Sequence, residues 1–205
     1  SESMADHPKK RRPLRTLCTL TILALLTALF VHWDNTALQV THFEPVFTGL
    51  PEGFDGCRLV VLSDLHGGEF GPGNGELFAA VAEAVPDYIV YLGDLEDRCR
   101  GPREGYAESV AQGLSAIAPL YYVTGNHEWA IGDVPELKER LEAHGARVLD
   151  NEFVTLERNG DTVVLAGIDD PNGYADQKTP EQVAAEVYAA QGAPFWILLA
   201  HRNNA

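Results

Sequence analysis

The chain has 205 residues, 45% of them apolar, so it can bury one sizeable core, and its composition does not mark it as disordered. The formal net charge is −15, but residues 1–15 hold Lys9, Lys10, Arg11, Arg12 and Arg15 against only Glu2 and Asp6, a net of +3 that leaves −18 for the remainder. A surface that acidic repels polyanions and anionic headgroups, which argues against nucleic acid as a partner.

Met4 is the only methionine, so Ser1-Glu2-Ser3 reads as a cloning leftover ahead of the natural start. From Thr16 to Trp33 there is no charged residue. An uncharged helix of that length, at about 1.5 Å per residue, is about 27 Å long, close to the hydrocarbon thickness of a bilayer. The run is apolar on all faces, unlike a surface helix of a soluble domain. With the basic cluster directly before it, residues 1–15 read as a cytoplasmic tail and 16–33 as a single-pass signal anchor. Residues 34–205 are then an extracytoplasmic domain at the cell membrane, and Trp33 is placed to sit at the interface. Arg11-Arg12 also has the paired arginines of a twin-arginine export signal.

Beyond the anchor, Asn35 to Phe47 reads as an edge strand or connecting arm, and Leu50 to Gly56 as a turn cluster. Arg58–Ser63 is a short apolar run expected to form a strand covered on both faces. A glycine-rich loop, Gly67–Gly75, leads into a helix near Glu76–Val85. Tyr88–Leu92 is a second strand, a helix lies within Glu104–Ile117, and Leu120–Val123 is a third strand. Asp133-Val134-Pro135-Glu136 has the capping pattern that opens a helix, closed by Gly145. Asn159-Gly160 between Glu152–Arg158 and Thr162–Ile168 is a hairpin signal. Thr179-Pro180-Glu181-Gln182 caps a further helix ending at Gly192, and Phe195–Leu199 is the last strand. The order predicts a parallel α/β sheet followed by a second, mixed sheet. Cys57 and Cys99 flank opposite ends of parallel strands, too far apart for a disulfide, so free thiols are expected.

Polar residues able to bind metal stand immediately after the apolar strands. The first strand ends in Ser63-Asp64-Leu65-His66, the second in Gly93-Asp94-Leu95-Glu96-Asp97-Arg98, the third in Gly125-Asn126-His127-Glu128, and the last in Ala200-His201. Carboxyl ends of adjacent parallel strands converge on one crevice. Oxygen and imidazole donors without thiolates suit Mn²⁺, Fe or Zn²⁺.

These motifs resemble the calcineurin-like metallophosphoesterase superfamily: D-x-H at Asp64 and His66, G-D-x-x-D-R from Gly93 to Arg98, and G-N-H-E from Gly125 to Glu128. Pro86-Asp87, Gly167–Pro171 and Leu198–His201 look like its membrane-anchored bacterial branch. The resemblance implies an α/β/β/α sandwich of two mixed sheets flanked by helices, and hydrolysis of phosphate mono- or diesters with two divalent metal ions, Mn²⁺ first and Zn²⁺ or Fe otherwise. It implies that Asp64 and His66 hold one metal, Asn126 and His201 the other, and that Asp94 bridges both. Such a pair of ions activates a bridging water and neutralises charge building on the phosphoryl oxygens. His127 would protonate the leaving oxygen with Asp97 orienting its ring, Arg98 would hold a phosphate oxygen, and Glu128 would support the ligands from behind. With an anchor, the expected substrate is a cell-envelope phosphoester such as a wall-polymer phosphodiester or a phospholipid headgroup.

The family's later G-H-x-H motif, which completes both metal sites, is absent. None of His7, His32, His42, His66, His127, His144 and His201 stands in it, and the domain reads as C-terminally truncated. The alternative is a non-catalytic, membrane-anchored binding domain on the same fold, although a pure binding role would not require His127 and Asp97. A dinucleotide-binding domain is disfavoured, because Gly71-Pro72-Gly73-Asn74-Gly75 is not G-x-G-x-x-G and does not follow a strand directly.

Overall fold

The computed structural model describes residues 12–99, 101–173 and 177–202, with side chains in the first helix from Arg15 to Val31. Lys9, Lys10, Arg11 and the rings of His32 and Trp33 lie outside the described residues. The chain divides into two compact units, residues 1–39 and 40–205.

The first unit contains α1, Arg12–Thr36, which is helical through the whole uncharged run. Leu17, Ile22, Leu26 and Phe30 are each more than half exposed. Among the described residues, no helix is long and apolar enough to cross a membrane.

In the second unit, Val40–Phe47 has no regular structure, so this segment is an arm and not an edge strand. Strands β1 (Leu59–Leu62), β2 (Tyr88–Tyr91), β3 (Leu120–Tyr122) and β4 (Ala146–Val148) form one sheet in that order, every pair parallel. The order of the elements predicted this parallel sheet; among the described residues it is not the mixed sheet that the family resemblance implied. Among the described residues the antiparallel pair is the one joined by the Asn159-Gly160 hairpin; the connections in the first sheet run through helices. Those helices are α2 (Gly75–Glu83), α3 (Tyr106–Ser115) and the pair α4 (Asn126–Ile131) and α5 (Val134–Ala143). A parallel sheet that grows in one direction by right-handed crossovers places all its helices on one face. The opposite face must be covered by something else, and the second sheet does this.

That sheet has the order β5 (Glu152–Arg158), β6 (Asp161–Gly167), β7 (Trp196–Leu199). The first pair is antiparallel and the second parallel, so it is mixed as expected. Asn159 (φ 52°) and Gly160 (φ 87°) both take the left-handed conformation that a two-residue hairpin of matching twist requires. Alternation along β6 divides its side chains. Val163 and Leu165 join Val90, Val123 and Leu149 in the core between the sheets, while Val164 and Ala166 pack with Val183 and Val187. The last two are on α6 (Pro180–Gln191), which covers the outer face. The layers are thus α/β/β/α.

Caps hold where the sequence places them, with one exception. Thr179 Oγ1 accepts from the Gln182 N–H, and Gln182 Oε1 accepts from the Thr179 N–H at 2.8 Å. Asp133 occupies the N-cap of α5, but its side chain makes no capping hydrogen bond. His144 ends α5 with Nδ1 2.8 Å from the Arg140 carbonyl, a contact suited to a helix C-terminus. Two elements were not expected from sequence, β4 and α4. Ala146–Val148 is only three residues and carries Arg147, too short to show a period. Cys18, Cys57 and Cys99 are free.

Candidate metal centre

The carboxyl ends of β1, β2, β3 and β7 bring the sequence-chosen residues together. Past the strand ends the chain keeps pairing through its backbone. The Asp64 N–H donates to the Gly93 carbonyl at 3.1 Å, His66 N–H to Asp94 at 3.0 Å, and Gly67 N–H to Leu95 at 2.8 Å. To do so, Asp64 (φ 57°), His66 (φ 49°) and Asp94 (φ 55°) all enter the left-handed region, which is costly for residues with a side chain. Buried Tyr91 helps to hold this loop, its hydroxyl oxygen accepting the Leu65 N–H at 3.3 Å.

The loops after β2 and β3 touch backbone to backbone. A Cβ on Gly93 would lie 2.3 Å from the Gly125 nitrogen, and one on Gly125 would lie 2.3 Å from Asp94 Oδ1. The glycines of both motifs therefore permit a close approach. Glu128 clamps it. Buried to 1% exposure, its Oε2 accepts the N–H groups of Asp94 (2.8 Å) and Gly125 (2.7 Å), and its Oε1 those of Leu95 (2.8 Å) and Glu96 (3.2 Å). Burial pushes this carboxyl's pKa up, and the backbone donors push it back down.

At the centre is Asp94, itself buried. Its Oδ1 accepts the His127 N–H at 2.8 Å. Its Oδ2 faces three imidazoles, with Nε2 of His201 at 3.4 Å, of His66 at 3.8 Å and of His127 at 3.9 Å. Asp64, more than half exposed, approaches the same nitrogen of His66, its Oδ1 3.5 Å from Nε2, and its Oδ2 accepts the Ser63 hydroxyl. Asn126 Oδ1 is 3.2 Å from His201 Nε2.

Hydrogen bonds at the far ring nitrogen decide what each histidine presents to this centre. His201 Nδ1 is 2.7 Å from the Leu92 carbonyl, which can only accept, so Nδ1 carries the proton and Nε2 offers a lone pair. His127 is the reverse. Its Nδ1 accepts the Arg98 backbone N–H at 3.2 Å, so the neutral ring carries its proton on Nε2. Asp97 Oδ1 lies 3.6 Å from the same Nδ1. Arg98 is exposed, and its contact with the site is this backbone N–H.

The donor set fits a cation. Two oxygen acceptors, Asn126 Oδ1 and Asp94 Oδ2, lie 3.2 and 3.4 Å from His201 Nε2. Such an approach is favourable only with a cation, either a second ring proton or a metal ion, between them. Two groups, Asp64–His66–Asp94 and His66–Asp97–His127, have ligand atoms close enough to share one ion, and thiolates take no part. A cleft lined by His66, Asp97, Glu96, Gly101, Arg103 and Tyr106 opens beside them.

Residues 57–205 match the calcineurin-like phosphoesterase family. The chain belongs to that family. It is similar to a transmembrane protein with a metallophosphoesterase domain from Danio rerio, 33% identical over 164 residues, which are 76% of this chain and 37% of the relative. A like-named protein from Bos taurus is 30% identical, over 78% of this chain and 37% of the relative. The uncharacterized metallophosphoesterase YkoQ of Bacillus subtilis is 35% identical over 55% of this chain and 43% of its own. The chain thus spans less than half the length of these relatives. Among solved structures, a phosphopantetheinyl hydrolase from Mycobacterium tuberculosis overlaps 66% of this chain and 52% of its own, at a TM-score of 0.39 and 16% identity.

The motif positions chosen from sequence meet at one place, but the residues that hold them there were largely missed. The sequence marks Glu128 only as general support and Asp170 only as part of the family-like segment Gly167–Pro171, and gives no signal for Tyr91, Thr124 or Arg202. The usable signal was Asp169-Asp170 directly after the buried strand Val163–Gly167.

Proposed function

We propose that the protein hydrolyses phosphate mono- or diesters with two divalent cations, Mn²⁺ first and Zn²⁺ or Fe otherwise. Asp64 and His66 hold one, Asn126 and His201 the other, and Asp94 lies between. Cations held there supply an activated water and neutralise charge on the phosphoryl group. His127 donates the proton to the leaving oxygen from Nε2 as the imidazolium and becomes a neutral ring, Asp97 steadies it at Nδ1, and Arg98 contacts a phosphate oxygen. The observation that carries this reading is the convergence of Asp64, His66, Asn126 and His201 on buried Asp94, with His127 beside them and Asp97 Oδ1 3.6 Å from its Nδ1. A ligand imidazole needs a lone pair at Nε2, which His201 presents when its Nδ1 donates to the Leu92 carbonyl, and a general acid needs the imidazolium, whose Nδ1–H would face Asp97.

We also propose that residues 16–33 anchor the protein in a membrane with residues 34–205 outside, acting on cell-envelope phosphoesters. Support comes from the uncharged run, its helicity and exposed apolar side chains, and the transmembrane relatives in Danio rerio and Bos taurus.

The function is tested with His127→Ala in the full-length protein. Loss of general-acid assistance should lower turnover of an unactivated phosphodiester by about 10²–10⁴, and less for a nitrophenyl ester whose leaving group needs little protonation. Metal content should not change. Unaltered turnover of the unactivated ester would remove the role, and loss of metal would make His127 a ligand.

A further inference from the structure

Asn126 and His201 come from strands in different sheets, and the contacts that set their separation converge on the end of β6. Asp169 and Asp170 follow that strand, 2% and 1% exposed. Asp169 turns toward the first sheet. Its Oδ1 accepts the Thr124 hydroxyl at 2.5 Å, two residues before Asn126, and its Oδ2 accepts from Lys138 Nζ at 2.7 Å. Thr124 Oγ1 in turn accepts the Trp129 indole N–H at 2.8 Å, which ties the start of α4 to the same point.

Asp170 turns the other way, toward the strand that carries His201. Arg202 Nε lies 2.8 Å from Asp170 Oδ2, and Arg202 Nη2 donates to Oδ1 at 3.1 Å. The Asn172 N–H donates to the same Oδ1 at 2.9 Å. The guanidinium thus meets both carboxylate oxygens, by a hydrogen bond to Oδ1 and an ion-pair contact to Oδ2, which restrains its orientation as well as its distance. Because Arg202 follows His201 directly, the pair restrains the backbone that presents the imidazole.

We propose that Asp170 is a positioning residue: through Arg202 it holds His201 opposite Asn126, while Asp169 holds Thr124. One strand end thereby sets the Asn126–His201 half of the metal centre and leaves the Asp64–His66 half to the β1–β2 loops. This rests on the ligand assignment made above. Neither carboxylate touches the proposed ligands; each acts through a neighbour in sequence.

The test is calorimetric titration of the full-length, metal-free protein with Mn²⁺ alone, comparing Asp170→Asn, Arg202→Gln and Arg202→Lys with the parent, and recording melting of the metal-free forms. One of the two binding steps should weaken by about 10–100-fold, the scale on which partners behind metal ligands act. The other step should be unchanged, and Arg202→Lys, which keeps the charge but not the two-point geometry, should fall between. Arg202 is one-third exposed, so its variants carry the test even if Asp170→Asn does not fold. Unchanged binding, or equal weakening of both steps together with a lowered melting temperature, overturns the proposal. His201→Ala is the control. If it weakens neither step, the ligand assignment falls, and this inference with it.

Discussion

Glu128→Gln should damage stability and metal binding together. The carboxylate receives four backbone N–H groups, two on each oxygen. An amide keeps one oxygen and turns an NH₂ toward the other two donors, whichever way it flips. Each donor left unsatisfied in a buried place costs about 1–3 kcal/mol. Two of them give a gross loss of about 2–6 kcal/mol, reduced because the variant no longer buries a charge. The expected net loss is about 2–4 kcal/mol. With a urea m-value of about 2 kcal/mol/M for a domain of this size, the denaturation midpoint should fall by about 1–2 M. Tryptophan fluorescence can follow it, since Trp129 is next to Glu128 in the sequence. Because the clamp joins the Asp94 and Asn126 loops, Mn²⁺ affinity should also drop by about 10–100-fold. Glu139→Gln, on the exposed face of α5, should stay within about 0.5 kcal/mol. A Glu128→Gln midpoint and affinity indistinguishable from that control would refute the clamp.

Three further expectations follow from the geometry. Asp94→Asn should remove both metal ions by elemental analysis while Asn126→Ala loosens mainly one; equal small losses would argue against Asp94 standing between them. Burial and a hydrogen bond with Asp150 push the Asp169 carboxyl up to about 6, against Lys138, while the same contact and Lys138 hold Asp150 down. An acid whose folded pKa is raised loses stability as pH climbs from its unfolded value through its folded one. The parent should therefore lose on the order of 1 kcal/mol between pH 5 and 7 relative to Asp169→Asn, and parallel pH curves for the two would refute it. Protease added to intact cells should digest residues 34–205, and complete protection would reverse the proposed orientation.

The sequence by itself determined most of the elements and the membership of the site. Strands covered on both faces read as apolar runs, Asn159-Gly160 marks its hairpin, and the polar clusters fall directly after strands because parallel strands share one functional edge. What only the tertiary structure decided is how those clusters are held. Four N–H groups from two loops reach Glu128 because the glycines at 93 and 125 let those loops touch. The tautomers of His127 and His201 are set by the Arg98 N–H and the Leu92 carbonyl, whose positions depend on folding and not on side-chain identity. The three-residue β4 likewise needed neighbours in place, since so short a strand has no period of its own. Asp169 and Asp170 stand in a segment that the sequence marks only by its family resemblance, and their burial as a support depends on both sheets closing over them.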